Sequence, residues 1–326
     1  MPPKVIPVSA SLRLGVLNHF DELYRHKKPN VDAELAEQCK EIKISARTAE
    51  FPVKTATPVP VYWGFNQPRT HQTLEDKYLP CTYRNWDITI PWNRYDEGDD
   101  QLGDLRTHVE MSVDNFLDLP HDFMVDYLSA TPTKLPSISN AIDGAALFSA
   151  TDGAGSNRFG VSGGNIISST GYTVASIQKD IWTILQRFRD FNNTNGRPFF
   201  GRKEVDQTKL LCWYPTQLAE PFEKIRDAKL EKTNPAVNTA TSNILHEKIR
   251  VKNDPLLSTS SNDWYCQLIH PYHKPFGKVV RYDVTQQIAD ETNSDECREK
   301  GQRALYAECS QDMIPFSPYC IIKVSA

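Results

Sequence analysis

The chain has 326 residues, of which 39% are hydrophobic, and its 37 basic and 41 acidic residues leave a net charge of −4. This length predicts a folded protein with one large domain or two medium ones. The charge excludes an overall positive field that would hold the chain on nucleic acid or an anionic membrane. No apolar run approaches the ~20 residues of a membrane span, and the sequence begins without a secretory signal, so we expect a cytoplasmic product.

Seven cysteines are spread along the chain without any C-x-x-C spacing. An odd number with this spread is typical of reduced thiols in a cytosol rather than of a disulfide framework. We therefore expect free cysteines.

The first 57 residues are mainly polar, and one helix is predicted near Ser11–Tyr24, where apolar residues recur every four positions. A proline-rich stretch, FPVKTATPVPVYW, begins at Phe51. Its prolines remove backbone donors and hold the chain extended. Residues 1–57 are therefore predicted to form an N-terminal arm and not part of a core.

Two strands with one apolar face each are predicted in the segment 58–97. Their apolar positions are Val59, Val61, Trp63, Phe65, Trp86, Ile88, Ile90 and Trp92. Two strands alone are not stable in water and need a neighbour to cover the apolar face. We expect an extended two-stranded loop whose apolar side chains are inter-subunit contacts, buried by an adjacent copy and not by their own domain.

An acidic stretch, DEGDDQLGD at 96–104, precedes the longest helical pattern, which runs from Gly103 to Ser129. The stretch lacks the glycine and glutamate positions of a calcium-binding loop, so no metal site is predicted. Carboxylates at a helix start accept its unpaired N–H groups and face the positive end of its dipole. Asp99, Asp100 and Asp104 are therefore predicted to cap this helix.

The second half of the chain mixes helices and strands, which predicts an α+β fold. A Gly- and Ser-rich segment at 143–171 is predicted to be a mobile connector. It is followed by a helix from Val174 to Phe191 and by strands at 209–214 and 264–269.

Two patterns suggest chemistry, and both are weak. Ser162 lies in a G-x-S-x-G pattern, but glycines and serines surround it where a nucleophile elbow needs a strand and a helix. A serine hydrolase using Ser162 is retained as an alternative. Cys266, His270 and His273 have ligand chemistry, yet His-Pro-Tyr-His-Lys-Pro is typical of a turn between strands. We therefore predict no catalytic residue, no metal and no cofactor.

Several segments together resemble the Mu-like phage major head subunit family. They are WDITIPWNRYDEGDDQLGDL at 86–105 with the helix after it, IDGAALFSATDG at 142–153, GGN at 163–165, GRP at 196–198 and NDPLL at 253–257. The resemblance spans about residues 80–285. Each motif is short, and their common order makes the series specific.

This resemblance implies the Hong Kong 97 capsid fold, an α+β architecture. The implied parts are an N-terminal arm (1–57), an extended loop (58–97), a peripheral domain with a spine helix (98–142), an axial domain with a connecting loop (143–278) and a return to the peripheral domain (279–326). Arm and extended loop would gain interface area between copies of the chain.

The implied function is that of a major capsid protein of a tailed bacteriophage or prophage. Hexamers and pentamers would close into an icosahedral shell around double-stranded DNA, without sequence-specific DNA binding and without a membrane. Implied partners are further copies of the chain, with cement or decoration, scaffold and portal proteins as candidates. The implied location is the virion, after assembly in the host cytoplasm. A phage decoration or tail protein is the second alternative.

Overall fold

The computed structural model describes residues 8–54, 76–93, 102–130, 132–227, 230–232, 240–242, 245–257, 262–289 and 294–325. The helices in these ranges are α1 (Val8–Gln38), α2 (Leu102–Ser129), α3 (Val174–Asp190), α4 (Arg202–Gln207), α5 (Ala219–Asp227), α6 (Leu245–Lys248) and α7 (Asp295–Lys300). The strands are β1 (Cys39–Lys43), β2 (Thr48–Lys54), β3 (Asp76–Thr82), β4 (Arg84–Asn93), β5 (Ile166–Ser168), β6 (Leu210–Tyr214), β7 (Leu230–Lys232), β8 (Ala240–Ser242), β9 (Ile249–Asn253), β10 (Trp264–Leu268), β11 (Phe276–Ala289), β12 (Gln302–Pro315) and β13 (Ile321–Ser325). The predicted α+β mixture is confirmed.

A four-stranded sheet in the order β1-β11-β12-β4 carries α1 and α2 on one face. β1 is parallel to β11, and the other pairs are antiparallel. α2 matches the long helix predicted at 103–129 and continues through Pro120. Its buried face, which includes Val113 and Phe123, packs into one core with Leu305 of β12. None of the helices in the described ranges is both long and apolar enough to cross a membrane.

The N-terminal segment belongs to this core. α1 places Val16, Phe20 and Leu35 in the same hydrophobic cluster as α2, and β1 extends the sheet beside β11. The expectation of an arm outside any core is therefore wrong for the described part, residues 8–54. The reason is that a few well-spaced apolar residues are enough to bury one stripe of a helix, even when most of the helix is polar.

The strand that carries Trp86, Ile88, Ile90 and Trp92 is β4, and its partner is β12. Ile90 and Trp92 are each only 9% exposed, and the ring of Trp86 lies 5.0 Å from that of Phe123 on α2. The expectation that these side chains are not buried by their own domain is therefore wrong, because β12 and α2 already cover them. A contact of their remaining exposed surface with a second copy stays a prediction.

The other predicted interface and capping positions cannot be compared with the structure. Val59, Val61, Trp63, Phe65, Asp99 and Asp100 lie outside the described residues, as does the side chain of Asp104. Their roles stay predictions.

A second, five-stranded sheet has the order β5-β13-β10-β6-β9 and is covered on both faces. On β6, Leu210, Cys212 and Tyr214 point into a core with α3 and α5, whereas Leu211 and Trp213 point into the core of α1 and α2. Burial on both faces explains why this strand is a continuous apolar run, LLCWY. β13 lies in this sheet, whereas β11 and β12 lie in the first. The return of residues 279–326 to the peripheral domain stays a prediction.

Candidate functional site

A cluster of polar residues lies beside the segment where the chain passes from the first sheet to the second, and we call Asp143, Arg158 and Asn165 the junction cluster. Arg158 is fully buried. Its Nε donates to Asp143 Oδ2 at 2.6 Å and its Nη2 to Asp143 Oδ1 at 2.9 Å, while Nη1 donates to the carbonyls of Ala146 and Leu147 at 2.7 and 2.9 Å. Two parallel bonds to one carboxylate fix the guanidinium in direction as well as distance. The buried charge is therefore fully paired.

Asn165 extends this cluster to the point where the chain passes from the first sheet to the second. Its side-chain amide donates to the carbonyls of Leu147, Pro318 and Ile321 at 2.8, 3.1 and 3.2 Å, and its Oδ1 accepts from the Ser149 N–H at 3.1 Å. Pro318 lies between β12 and β13, and Ile321 is the first residue of β13. Asn165 thus connects the loop 141–165 to the linker between the sheets.

The glycines of this region are required by close packing. A Cβ on Gly164, whose φ is +54°, would lie 2.1 Å from the carbonyl oxygen of Ser149. A Cβ on Gly153 would lie 2.7 Å from the Asp143 carbonyl oxygen, which accepts the Gly153 N–H at 2.9 Å. The prediction of a mobile connector at 143–171 is therefore wrong, because these glycines allow close backbone approach and are not there for flexibility.

A second polar contact ties β4 and β12 to the loop after α2. Arg84 of β4 donates through Nη1 to Asp312 at 3.2 Å and through Nη2 to the Ser137 carbonyl and hydroxyl at 3.2 and 3.0 Å. Asp312 is 3% exposed. Burial raises the pKa of Asp312 to about 6, against the opposing effects of the Arg84 charge and the Met313 N–H.

Asp312→Asn should remove a pH dependence of stability. Because the folded-state pKa is raised, the contribution of Asp312 is fully present below its ordinary value of 3.8 and is lost as pH rises through about 6. Relative to wild type, the Asn variant should therefore gain on the order of 2 kcal/mol in free energy of unfolding between about pH 4 and pH 7. Urea unfolding at several pH values measures this difference. A difference that is constant across this range would contradict the prediction.

The helical layer also contacts the second sheet through charged groups. His121 Nε2 on α2 lies 2.7 Å from Asp254 Oδ2 in the turn after β9, and Arg250 of β9 donates to both carboxylate oxygens of Glu37 at 2.7 Å. Burial opposes ionisation of Asp254, yet the His121 hydrogen bond and charge and the Leu256 N–H hold the pKa of Asp254 below its usual value. The ionised Asp254 therefore contributes to stability at neutral pH, and this contribution is lost as pH falls through the folded-state pKa of Asp254.

The residues with potential chemistry lie in structural contacts. Ser162 is exposed between a 3₁₀ turn at 158–160 and β5, which is not the strand-to-helix turn of a nucleophile elbow. His270 Nε2 contacts Glu204 Oε1 at 2.5 Å, His273 Nδ1 contacts the Tyr319 hydroxyl at 2.9 Å, and Cys266 is fully buried in β10. Cys266 and the two histidines therefore do not form a common metal site. Among the described residues, no group of three His, Cys, Asp or Glu side chains is arranged to hold a metal.

No protein-family model matches the chain, and neither does any curated protein sequence. Solved structures do match. The capsid of the cyanophage P-SCSP1u is 13% identical and has a TM-score of 0.56, with 88% of this chain and 86% of that chain covered. The capsid of an empty GTA particle is 11% identical with a TM-score of 0.55, covering 90% of this chain and 89% of that one. The mature capsid of bacteriophage PhiM1 is 9% identical with a TM-score of 0.51, covering 89% and 85%. The chain therefore has the Hong Kong 97 capsid fold that is seen in phage capsid structures.

Proposed function

We propose that the protein is the major capsid protein of a tailed bacteriophage or prophage, which assembles into hexamers and pentamers of an icosahedral shell. The observation that carries this proposal is the extent of the structural match. About nine-tenths of this chain corresponds to nearly as large a part of the capsid chains, at 88% and 86% for the cyanophage and 90% and 89% for the GTA particle. The match therefore extends over most of the chain and is not confined to one segment of it.

The contacts of the described residues support a structural role over an enzymatic one. Arg158 is fully buried, and it donates to the Asp143 carboxylate and to the carbonyls of Ala146 and Leu147, which are contacts within the fold. His270 is engaged by Glu204, and Ser162 lacks the backbone context of a nucleophile. We therefore favour a shell subunit over a serine hydrolase.

The motif series supports the finer assignment to the Mu-like phage major head subunit family. Asp143, Gly153, Gly164 and Asn165 come from the IDGAALFSATDG and GGN motifs, and each has a defined role at the junction of the two sheets. In this role the protein would enclose DNA in the virion without reading its sequence, after assembly in the host cytoplasm. Scaffold, portal and cement or decoration proteins would be its partners beside further copies of itself.

The full-length chain, expressed alone and concentrated, should form closed particles with fivefold and sixfold clusters of subunits. Negative-stain electron microscopy and light scattering measure this directly. A decoration protein would instead remain a small oligomer and bind to particles made by another subunit. A chain that stays a monodisperse monomer at every concentration would contradict the proposal.

A further inference from the structure

Two cysteines face each other across the centre of the second sheet. Cys212 of β6 and Cys266 of β10 are directly opposite in the antiparallel register, and their Sγ atoms are 3.7 Å apart. Both side chains are completely buried. We propose that these two thiols form an intrachain disulfide when the protein meets a low-molecular-weight disulfide as oxidant.

The backbone geometry suits this bond. Opposite residues of an antiparallel pair have Cα atoms about 4.5–5.5 Å apart, which lies within the ~4.4–6.8 Å that a disulfide accepts. The two sulfurs are already in van der Waals contact, so modest χ1 rotations bring them to the ~2.05 Å of the bond. The register of the two strands is therefore compatible with the bond.

Other cysteines of the chain have different neighbours. Cys39 lies against the thioether sulfurs of Met124 and Met313, at 3.5 and 4.0 Å, and a thioether cannot form a disulfide. Cys81 donates to the Leu79 carbonyl at 3.5 Å. Of these contacts of the described cysteines, the one that joins two thiols is that of Cys212 with Cys266.

The chemistry is two steps of thiol–disulfide exchange. The thiolate of one cysteine attacks oxidised glutathione, which forms a mixed disulfide and releases one glutathione thiolate. The second cysteine, as thiolate, attacks the protein sulfur of that mixed disulfide and releases the second glutathione. Two electrons and two protons leave the pair, and oxidised glutathione is reduced to two thiols.

Burial determines when this exchange happens. Burial and the neighbouring Cys212 thiol hold the pKa of Cys266 well above its usual value, so few thiolates exist in the closed sheet. The exchange therefore proceeds during folding or after local opening of β6 and β10, and the finished bond is shielded from reductants. In the proposed function, it would form once particles leave the reducing interior of the host.

Refolding the denatured full-length chain with a mixture of reduced and oxidised glutathione tests this proposal. After this refolding, five of the seven thiols should remain titratable, and peptide mapping should find one linked pair, Cys212 with Cys266. The loop between them spans more than 50 residues, so the thermal midpoint should rise by roughly 5 °C and fall again on reduction.

Three cysteine variants test whether the disulfide joins Cys212 with Cys266. Cys212→Ser and Cys266→Ala should each abolish the linked peptide and the rise, whereas Cys320→Ser, a fully buried cysteine of the same core, should keep both. Native protein incubated with the same mixture should lose the same two thiols slowly. Seven free thiols in both refolded and native samples, or separate glutathione adducts on Cys212 and Cys266, would overturn the proposal. None of these outcomes depends on whether the chain forms a shell.

Discussion

Arg158→Met should lower the free energy of unfolding by about 3–5 kcal/mol, the range found when one partner of a buried ion pair is removed. Methionine fills much of the same volume, but the Asp143 carboxylate and the carbonyls of Ala146 and Leu147 lose their donors. An unpaired buried acceptor costs about 1–3 kcal/mol in desolvation, and a carboxylate costs more. Chemical denaturation of the purified protein measures the loss.

Two further variants separate the ion pair from general damage to the loop. Arg197→Met changes an exposed arginine in the turn before α4 and should alter the free energy of unfolding by less than ~0.5 kcal/mol. Arg158→Met combined with Asp143→Leu removes both charges together and should recover part of the loss, because no charge is then left buried without a partner. A single Arg158→Met variant as stable as wild type would show that the junction cluster does not hold the two sheets together.

Local sequence patterns were sufficient to predict a helix or strand where the apolar residues of that element have a clear spacing. The apolar spacing around Val113 and Phe123 predicted α2 within a residue at each end, and the spacing in 174–191 predicted α3. The apolar run LLCWY likewise predicted β6. In these elements the periodicity of buried residues is strong enough to be visible without knowledge of the partner.

The junction cluster could not be predicted in this way, because its contacts join distant parts of the chain. Asn165 bonds to the Pro318 carbonyl, 153 positions away, and nothing in the motif GGN indicates that partner. Glycines and serines near Gly153 and Gly164 suggested mobility, since close backbone approach and flexibility have the same composition. Arg158 follows no motif, and a charged residue in a polar loop is usually exposed.

The prediction that the apolar face of β4 is not buried by its own domain was wrong for a similar reason. One apolar face on a strand shows that something covers it, but not whether the cover is the same chain or another copy. β12 supplies the backbone partner of β4, and α2 supplies the apolar surface that covers it. Both elements come after β4 in the sequence, and β12 lies more than 200 residues away. The apolar face of β4 is therefore needed for folding of the subunit and not only for assembly.

Trp92→Asp should consequently prevent or severely destabilise folding of the subunit itself. Trp92 is 9% exposed within the core shared by α2 and β12, so the substitution removes a large aromatic ring and buries a carboxylate. Large-to-small substitution of a buried Trp costs about 3–5 kcal/mol before the buried charge is counted. The soluble yield and the thermal midpoint of unassembled protein measure this effect.

Thr89→Asp, on the exposed face of the same strand, is the matched control and should leave both the soluble yield and the thermal midpoint nearly unchanged. If Trp92→Asp instead leaves a stable monomer that cannot form particles, this side chain contributes to an inter-subunit contact and the packing of β4 against α2 is not what stabilises the subunit.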